Sequence, residues 1–132
     1  MKQYYKKLHF SSDGSKIENI THRIKDIVFK SEIKNGIVNL SILNTTASLI
    51  IQENADPDVL KDLQTFYGKL VPMNGDYLHS SEGTDDMPAH IKSTLTNSNL
   101  TLSLLEGVIQ LGIWQGIYPV SYTHLTLPTI GC

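Results

Sequence analysis

The chain has 132 residues, 40% hydrophobic and 18% charged, with a formal net charge of -2. That length supports one domain with a single core, and the charge balance excludes binding to nucleic acid or anionic lipid through a basic excess. The one cysteine, Cys132, excludes an internal disulfide, no apolar run approaches the ~20 residues of a bilayer span, and Met1-Lys2-Gln3-Tyr4-Tyr5-Lys6-Lys7 has no signal-peptide core behind it, so a cytoplasmic protein is expected.

Residues 4–11 are rich in aromatics and read as a strand. Asp13-Gly14 is a turn signal that predicts pairing with a second strand at 16–20. Thr21 is placed as an N-cap, with Ile24, Ile27 and Val28 following at helical spacing until the turn dipeptide Asn35-Gly36. Ile37, Val38, Leu40, Ile42 and Leu43 predict a strand, and Leu49, Ile50 and Ile51 predict another after the Thr45-Thr46-Ala47-Ser48 bend. Asp56-Pro57-Asp58 supplies a capping acid, a proline at the first helical position and a second acid, so a helix runs from there until Val71-Pro72 stops it. Its apolar face carries Val59, Leu60, Leu63, Phe66, Tyr67 and Leu70.

From residue 73 to 93 periodicity vanishes, which predicts a long irregular loop. Leu100, Leu102 and Leu104 alternate with hydroxyl residues, Glu106-Gly107 marks a hairpin, and strands are expected at 108–111 and 113–120. Strands and helices interspersed without a βαβ rhythm predict an α+β domain with antiparallel strands.

The chemistry concentrates between residues 53 and 92. His79 and His90 are candidate metal ligands, with Glu82, Asp85 and Asp86 as oxygen donors or general bases, and Lys92 is a candidate point charge for phosphate. The spacing alone leaves open a solvated loop whose histidines merely hold turns. Asn54 and Asp56 lie at a helix N-terminus, where free N–H groups attract anions, although Asp56 also reads as a plain cap. The hydroxyls of Thr45, Thr46 and Ser48 are either phosphate donors or parts of a bend, and Trp114-Gln115 is either ligand platform or core. No phosphate-binding loop, dinucleotide fingerprint, paired CxxC or nucleophile elbow is present.

Taken together, Thr45-Thr46-Ala47-Ser48-Leu49, Glu53-Asn54-Ala55-Asp56-Pro57-Asp58-Val59 with Asp62, the stretch from Tyr77 to Ser93, and Gly112-Ile113-Trp114-Gln115-Gly116-Ile117 resemble the YjbQ-like family, the secondary thiamine-phosphate synthases. The resemblance implies an α+β fold with an antiparallel, sandwich-like sheet and two main helices, in a homotrimer. It implies a transferase that joins hydroxymethylpyrimidine diphosphate to thiazole phosphate and releases pyrophosphate; the alternative is a non-catalytic binding protein for a phosphorylated or heterocyclic metabolite. On that basis Asp56, Glu82, Asp86 and Lys92 are expected to be catalytic. Asn44, Thr45, Thr46, Ser48, Asn54, Trp114 and Gln115 are expected to bind substrate, and His79 and His90 a divalent ion, Mg or Zn. The expected partner is a small phosphorylated metabolite, with neither nucleic acid nor membrane.

Three positions depart from the family pattern. Asn44 stands where the family usually has His, and Ile113 where it usually has Thr. After Ile117 the family's basic strand is replaced, so the family-like domain is placed at residues 1–118. Residues 119–132 are read as a non-family tail that resembles translated adapter sequence, with a real strand alternating at Leu125 and Leu127 as the other reading.

Overall fold

The computed structural model describes residues 1–10, 17–123 and 129–131. In chain order the elements are β1 (Lys7–His9), α1 (Thr21–Ser31), β2 (Gly36–Ile42), β3 (Ala47–Glu53), α2 (Pro57–Leu70), α3 (Asp86–Leu95), β4 (Asn99–Leu105), β5 (Val108–Ile109), β6 (Gln115–Ser121) and β7 (Thr129–Gly131). The described residues form two antiparallel sheets: one of five strands, ordered β1-β7-β2-β4-β5, and a two-stranded ribbon of β3 and β6.

Period-two alternation sets the register of the larger sheet. Val38 lies opposite Leu102 and Leu40 opposite Leu100, all four buried, while Asn39 and Thr101 share the outer face and a hydrogen bond. A one-residue slip would move this apolar set to the outer face. The ribbon's Ala47, Leu49 and Ile117 join the same core, and α1 adds Ile24, Ile27 and Val28 from one face. The antiparallel, sandwich-like α+β architecture expected from the sequence is present. Glu106 and Gly107 both take positive φ at the β4–β5 turn, where glycine supplies conformational freedom that a larger side chain lacks.

Several local expectations change. Residues 17–20 form no strand; the Ile20 N–H donates to the Ile117 carbonyl (2.9 Å), and the Ile20 side chain is fully buried. The Asp13-Gly14 turn lies outside the described residues, as does the Leu125–Leu127 alternation. Thr21 is the first residue of α1 rather than its cap. Asn19 accepts from the Thr21 N–H (3.0 Å) and hydroxyl (2.6 Å), while the Thr21 hydroxyl accepts from the Ile117 N–H (2.8 Å). Both backbone groups of Ile117 thus face α1 rather than β3. Pro119 has the same parity on β6, and its partner Leu49 donates to Asn97 instead, so the proline removes no ladder bond. Pro119, Val120 and Ser121 are part of β6. The strand expected at 113–120 begins only at Gln115, because Ile113 and Trp114 make the preceding turn, and β5 ends at Ile109.

The second helix begins as its sequence dictates: Asp56 is extended, and its carboxylate accepts the Asp58 N–H at 2.9 Å with Pro57 at the first position. Its apolar face, however, is only half covered. No α2 residue is fully buried, and Phe66 and Leu70 are exposed. The third helix is the largest correction, since α3 occupies the second half of the expected loop. Pro88 is tolerated because it sits in the first turn, where N–H groups lack helical partners. Pro88 and Ala89 are buried against the fold, which supplies the stability that ten residues of helix lack on their own.

The cap geometry makes a direct prediction. Asp56→Ala should lower stability by ~1 kcal/mol, the usual cost of a lost N-cap, measured by urea unfolding. No change would remove the cap as the role of this carboxylate.

Candidate metal centre

Three side chains converge at the start of α3. Asp86 and His90 are four residues apart on one helix and therefore share a face. His79 reaches them from the irregular segment between α2 and α3. Asp86 Oδ2 lies 2.5 Å from His79 Nε2 and 3.2 Å from His90 Nε2, and the two imidazole rings meet edge to face with centroids 5.5 Å apart. One donor atom from each of the three residues fits within a span of 4.8 Å.

The electrostatics follow from this geometry. Asp86 is 9% exposed, and burial alone would raise its pKa. The hydrogen bond from His79 outweighs burial, and the charge of His90 adds to it, so the carboxyl titrates below its ordinary range. An ionised, acceptor-only carboxylate therefore orients the His79 imidazole through a hydrogen bond and holds that of His90 beside the same oxygen by charge. Such a group can hold a metal ion or serve as an acid–base set. Glu82 stands at the edge, its Oε2 4.0 Å from His79 Nε2 with a largely exposed side chain.

Other expected site residues fall into two places. Next to the end of the β3–β6 ribbon where Ala47 pairs with Ser121, Asn44 Oδ1 accepts from the Thr46 N–H (2.7 Å) and hydroxyl (2.8 Å), and Thr45 is exposed. Ser48 is fully buried and shares a 2.7 Å hydrogen bond with the Tyr122 hydroxyl, which also meets Thr96 Oγ1 at 3.0 Å. Ser93 donates to the Ala47 carbonyl and ties α3 to β3. Burial pushes the Tyr122 phenol up in pKa, so it stays neutral and free to bridge the two hydroxyls. Tyr122 was not among the residues singled out from sequence; nothing local marks it, because its partners are 74 and 26 positions away.

At the opposite end of the ribbon, Glu53 pairs with Gln115. Seven-residue strands put this end ~20 Å from Ala47. Here Asn54 donates its N–H to the Trp114 carbonyl and its side-chain amide to the Ile113 carbonyl (3.1 Å), while Gln115 Oε1 accepts the Gly112 N–H at 2.6 Å. Asp56 caps α2 beside them, and Trp114 is 61% exposed. The fold brings His79, Glu82, Asp86 and His90 together and leaves Asn54, Asp56, Trp114 and Gln115 at the far end of the ribbon. Lys92 is on α3 but two residues past His90, about 200° round the axis from it. Desolvation lowers its pKa, opposed by the charge of Asp85.

The family described as UPF0047 protein YjbQ-like matches residues 6–124. The chain belongs to that family. A UPF0047 protein of Synechocystis sp. is 44% identical over 118 residues, covering 89% of this chain and 80% of that protein. The UPF0047 protein YjbQ of Escherichia coli O157:H7 is 39% identical over 87% of this chain and 84% of its own length. Among solved structures, a YjbQ/UPF0047 family protein of Clostridium acetobutylicum superposes with a TM-score of 0.85 at 31% identity, covering 98% of both chains. A YbjQ-like protein of Sulfolobus solfataricus, at 23% identity, shares the fold with a TM-score of 0.88, over 97% of this chain and 93% of that one. Among the described residues no helix is long and apolar enough to cross a membrane.

The depressed Asp86 pKa carries a pH dependence. A carboxyl whose folded pKa is depressed contributes stability that is complete above its unfolded value and is lost as pH falls through the folded value. In metal-free protein, the stability gap between wild type and Asp86→Asn should be full above ~pH 4 and narrow below it. Urea titrations from pH 2 to 7 measure this gap, and a constant gap would show that Asp86 is not held ionised by the histidines.

Proposed function

We propose that this YjbQ-family chain is a secondary thiamine-phosphate-synthase-type transferase, with His79, Asp86 and His90 as the ligands of a divalent ion. The observation that carries the metal part is the convergence of two imidazoles and a carboxylate within 4.8 Å. Tetrahedral ligand atoms ~2.0–2.2 Å from one ion lie ~3.3–3.6 Å apart, so binding would open the 2.5 Å contact of Asp86 with His79 and draw the widest pair of donors together by about 1 Å. Two nitrogen donors and one oxygen suit Zn or a similar ion better than Mg, which prefers an all-oxygen shell. When bound, the ion would supply positive charge against a pyrophosphate leaving group.

The chain's own residues take the remaining roles in this reading. Asp86 holds His79 by a hydrogen bond with His90 beside it, and Glu82 next to His79 handles protons; Lys92, about 200° round α3 from His90, offers a cation only to a phosphate that lies outside this cluster. In the reaction the thiazole nitrogen bonds to the pyrimidine methylene carbon as its bond to oxygen breaks, and pyrophosphate departs with the electron pair. The small phosphorylated partner, the homotrimer and the cytoplasmic location belong to the same proposal and rest on the family resemblance.

A non-catalytic binding protein is the second reading. Asn44 favours it: the resemblance puts a histidine there, and the Asn44 side-chain oxygen is already bonded twice to Thr46.

Two measurements test the proposal. Calorimetry with Zn should find one ion per chain, bound at least tenfold more weakly (about 1.4 kcal/mol) by the His79→Ala/His90→Ala double variant; equal affinity rejects the two histidines as ligands. Incubation with both phosphorylated precursors and a divalent ion should yield thiamine phosphate. Thermal stabilisation by the precursors without any product would favour the binding protein.

A further inference from the structure

The half-covered face of α2 has a counterpart in space. Between α2 and the β3–β6 ribbon lies a cavity of about 370 Å³. That volume is within the ~300–1,000 Å³ of small-molecule sites. Leu60, Leu63 and Tyr67 of α2 form one wall, and Ile50, Val120 and Tyr122 belong to the other. Among the described lining residues Lys92 is the one charged side chain, with its Nζ 5.9 Å from the centre of the Tyr122 ring. His79, Asp86 and His90 do not line it. The turn of α3 that separates Lys92 from His90 by about 200° puts the cavity and the histidine cluster on different sides of that helix.

We propose that this cavity is a ligand site of its own, for a small molecule with a flat apolar body and one anionic group. The body fits between the α2 wall and the ribbon, where Tyr67 and Tyr122 supply aromatic faces. The anion fits at Lys92, since the one charged side chain among the described lining residues is a cation, which complements a negative charge and disfavours a cationic ligand. A monocyclic or bicyclic phosphate or carboxylate is the class it selects. The inference rests on the proposed function only in that the chain handles an anionic heterocyclic metabolite; the metal has no part in it.

The probe is 1-naphthyl phosphate, titrated calorimetrically into the full chain in EDTA, with 1-naphthol as its uncharged counterpart. Saturable binding of one molecule per chain is expected. Lys92→Met should weaken the phosphate at least tenfold and leave 1-naphthol unchanged, while Leu63→Trp, which fills the cavity, should abolish both. Lys92→Gln serves as a second charge-removing variant, and circular dichroism establishes that each variant is folded. His79→Ala/His90→Ala should bind the probe as the wild type does. Absence of saturable binding, or equal affinity in both Lys92 variants, overturns the proposal. Loss of binding in the histidine variant also overturns it, by placing the phosphate at the imidazoles. Lys92-dependent binding of the probe in EDTA, together with no thiamine phosphate formed in the separate assay with both precursors and a divalent ion, would sink the transferase reading alone, and turnover without Lys92-dependent binding would sink the cavity alone.

Discussion

The antiparallel ladder between β3 and β6 governs where chemistry can occur in this protein. Its seven paired positions run from Ala47 opposite Ser121 to Glu53 opposite Gln115. One end receives α3 through Ser93 and the Tyr122–Ser48–Thr96 hydroxyl group; the other is closed by Asn54 against the turn at Ile113 and Trp114. Because a paired strand is stiff, residues at the two ends cannot meet within one chain. Alternation along β6 also separates its duties, with Ile117 and Pro119 turning their backbone away from β3 and leaving the ladder intact.

The metal-centre candidate depends on this ladder indirectly. The Asp86 carboxylate is buried and ionised, a combination that costs free energy unless donors surround it. His79 supplies a hydrogen bond, His90 stands 3.2 Å from the same oxygen, and α3 holds His90 one turn from Asp86. The burial of Pro88 and Ala89 keeps α3 folded, while Ser93 anchors it to the ribbon. Loss of that anchoring would loosen the imidazole cluster without touching any of its three members.

Elements with dense local grammar were readable without coordinates. The α2 start at Asp56-Pro57-Asp58, the Glu106-Gly107 turn and the alternating leucines of β4 each carry their cause within a few residues. The third helix was not readable: its apolar pattern is short, Pro88 suggests a break, and its stability comes from tertiary burial. The expected strand at 16–20 failed for a related reason, because the backbone of Ile20 bonds to Ile117, nearly a hundred positions away.

The sequence by itself determined the residue types near the site, the α+β class and the membership of the YjbQ-like family, since composition, periodicity and motif order are properties of the chain alone. Only the tertiary structure decided which candidates act together. It joined His79 to Asp86 and His90, confined Ser48 to the interior against Tyr122, and sent Asn54, Asp56, Trp114 and Gln115 to the far end of the ribbon. The physical reason is that strand register and helix phase convert sequence distance into spatial distance. Seven residues along a strand separate groups by ~20 Å, while four along a helix bring them onto one face.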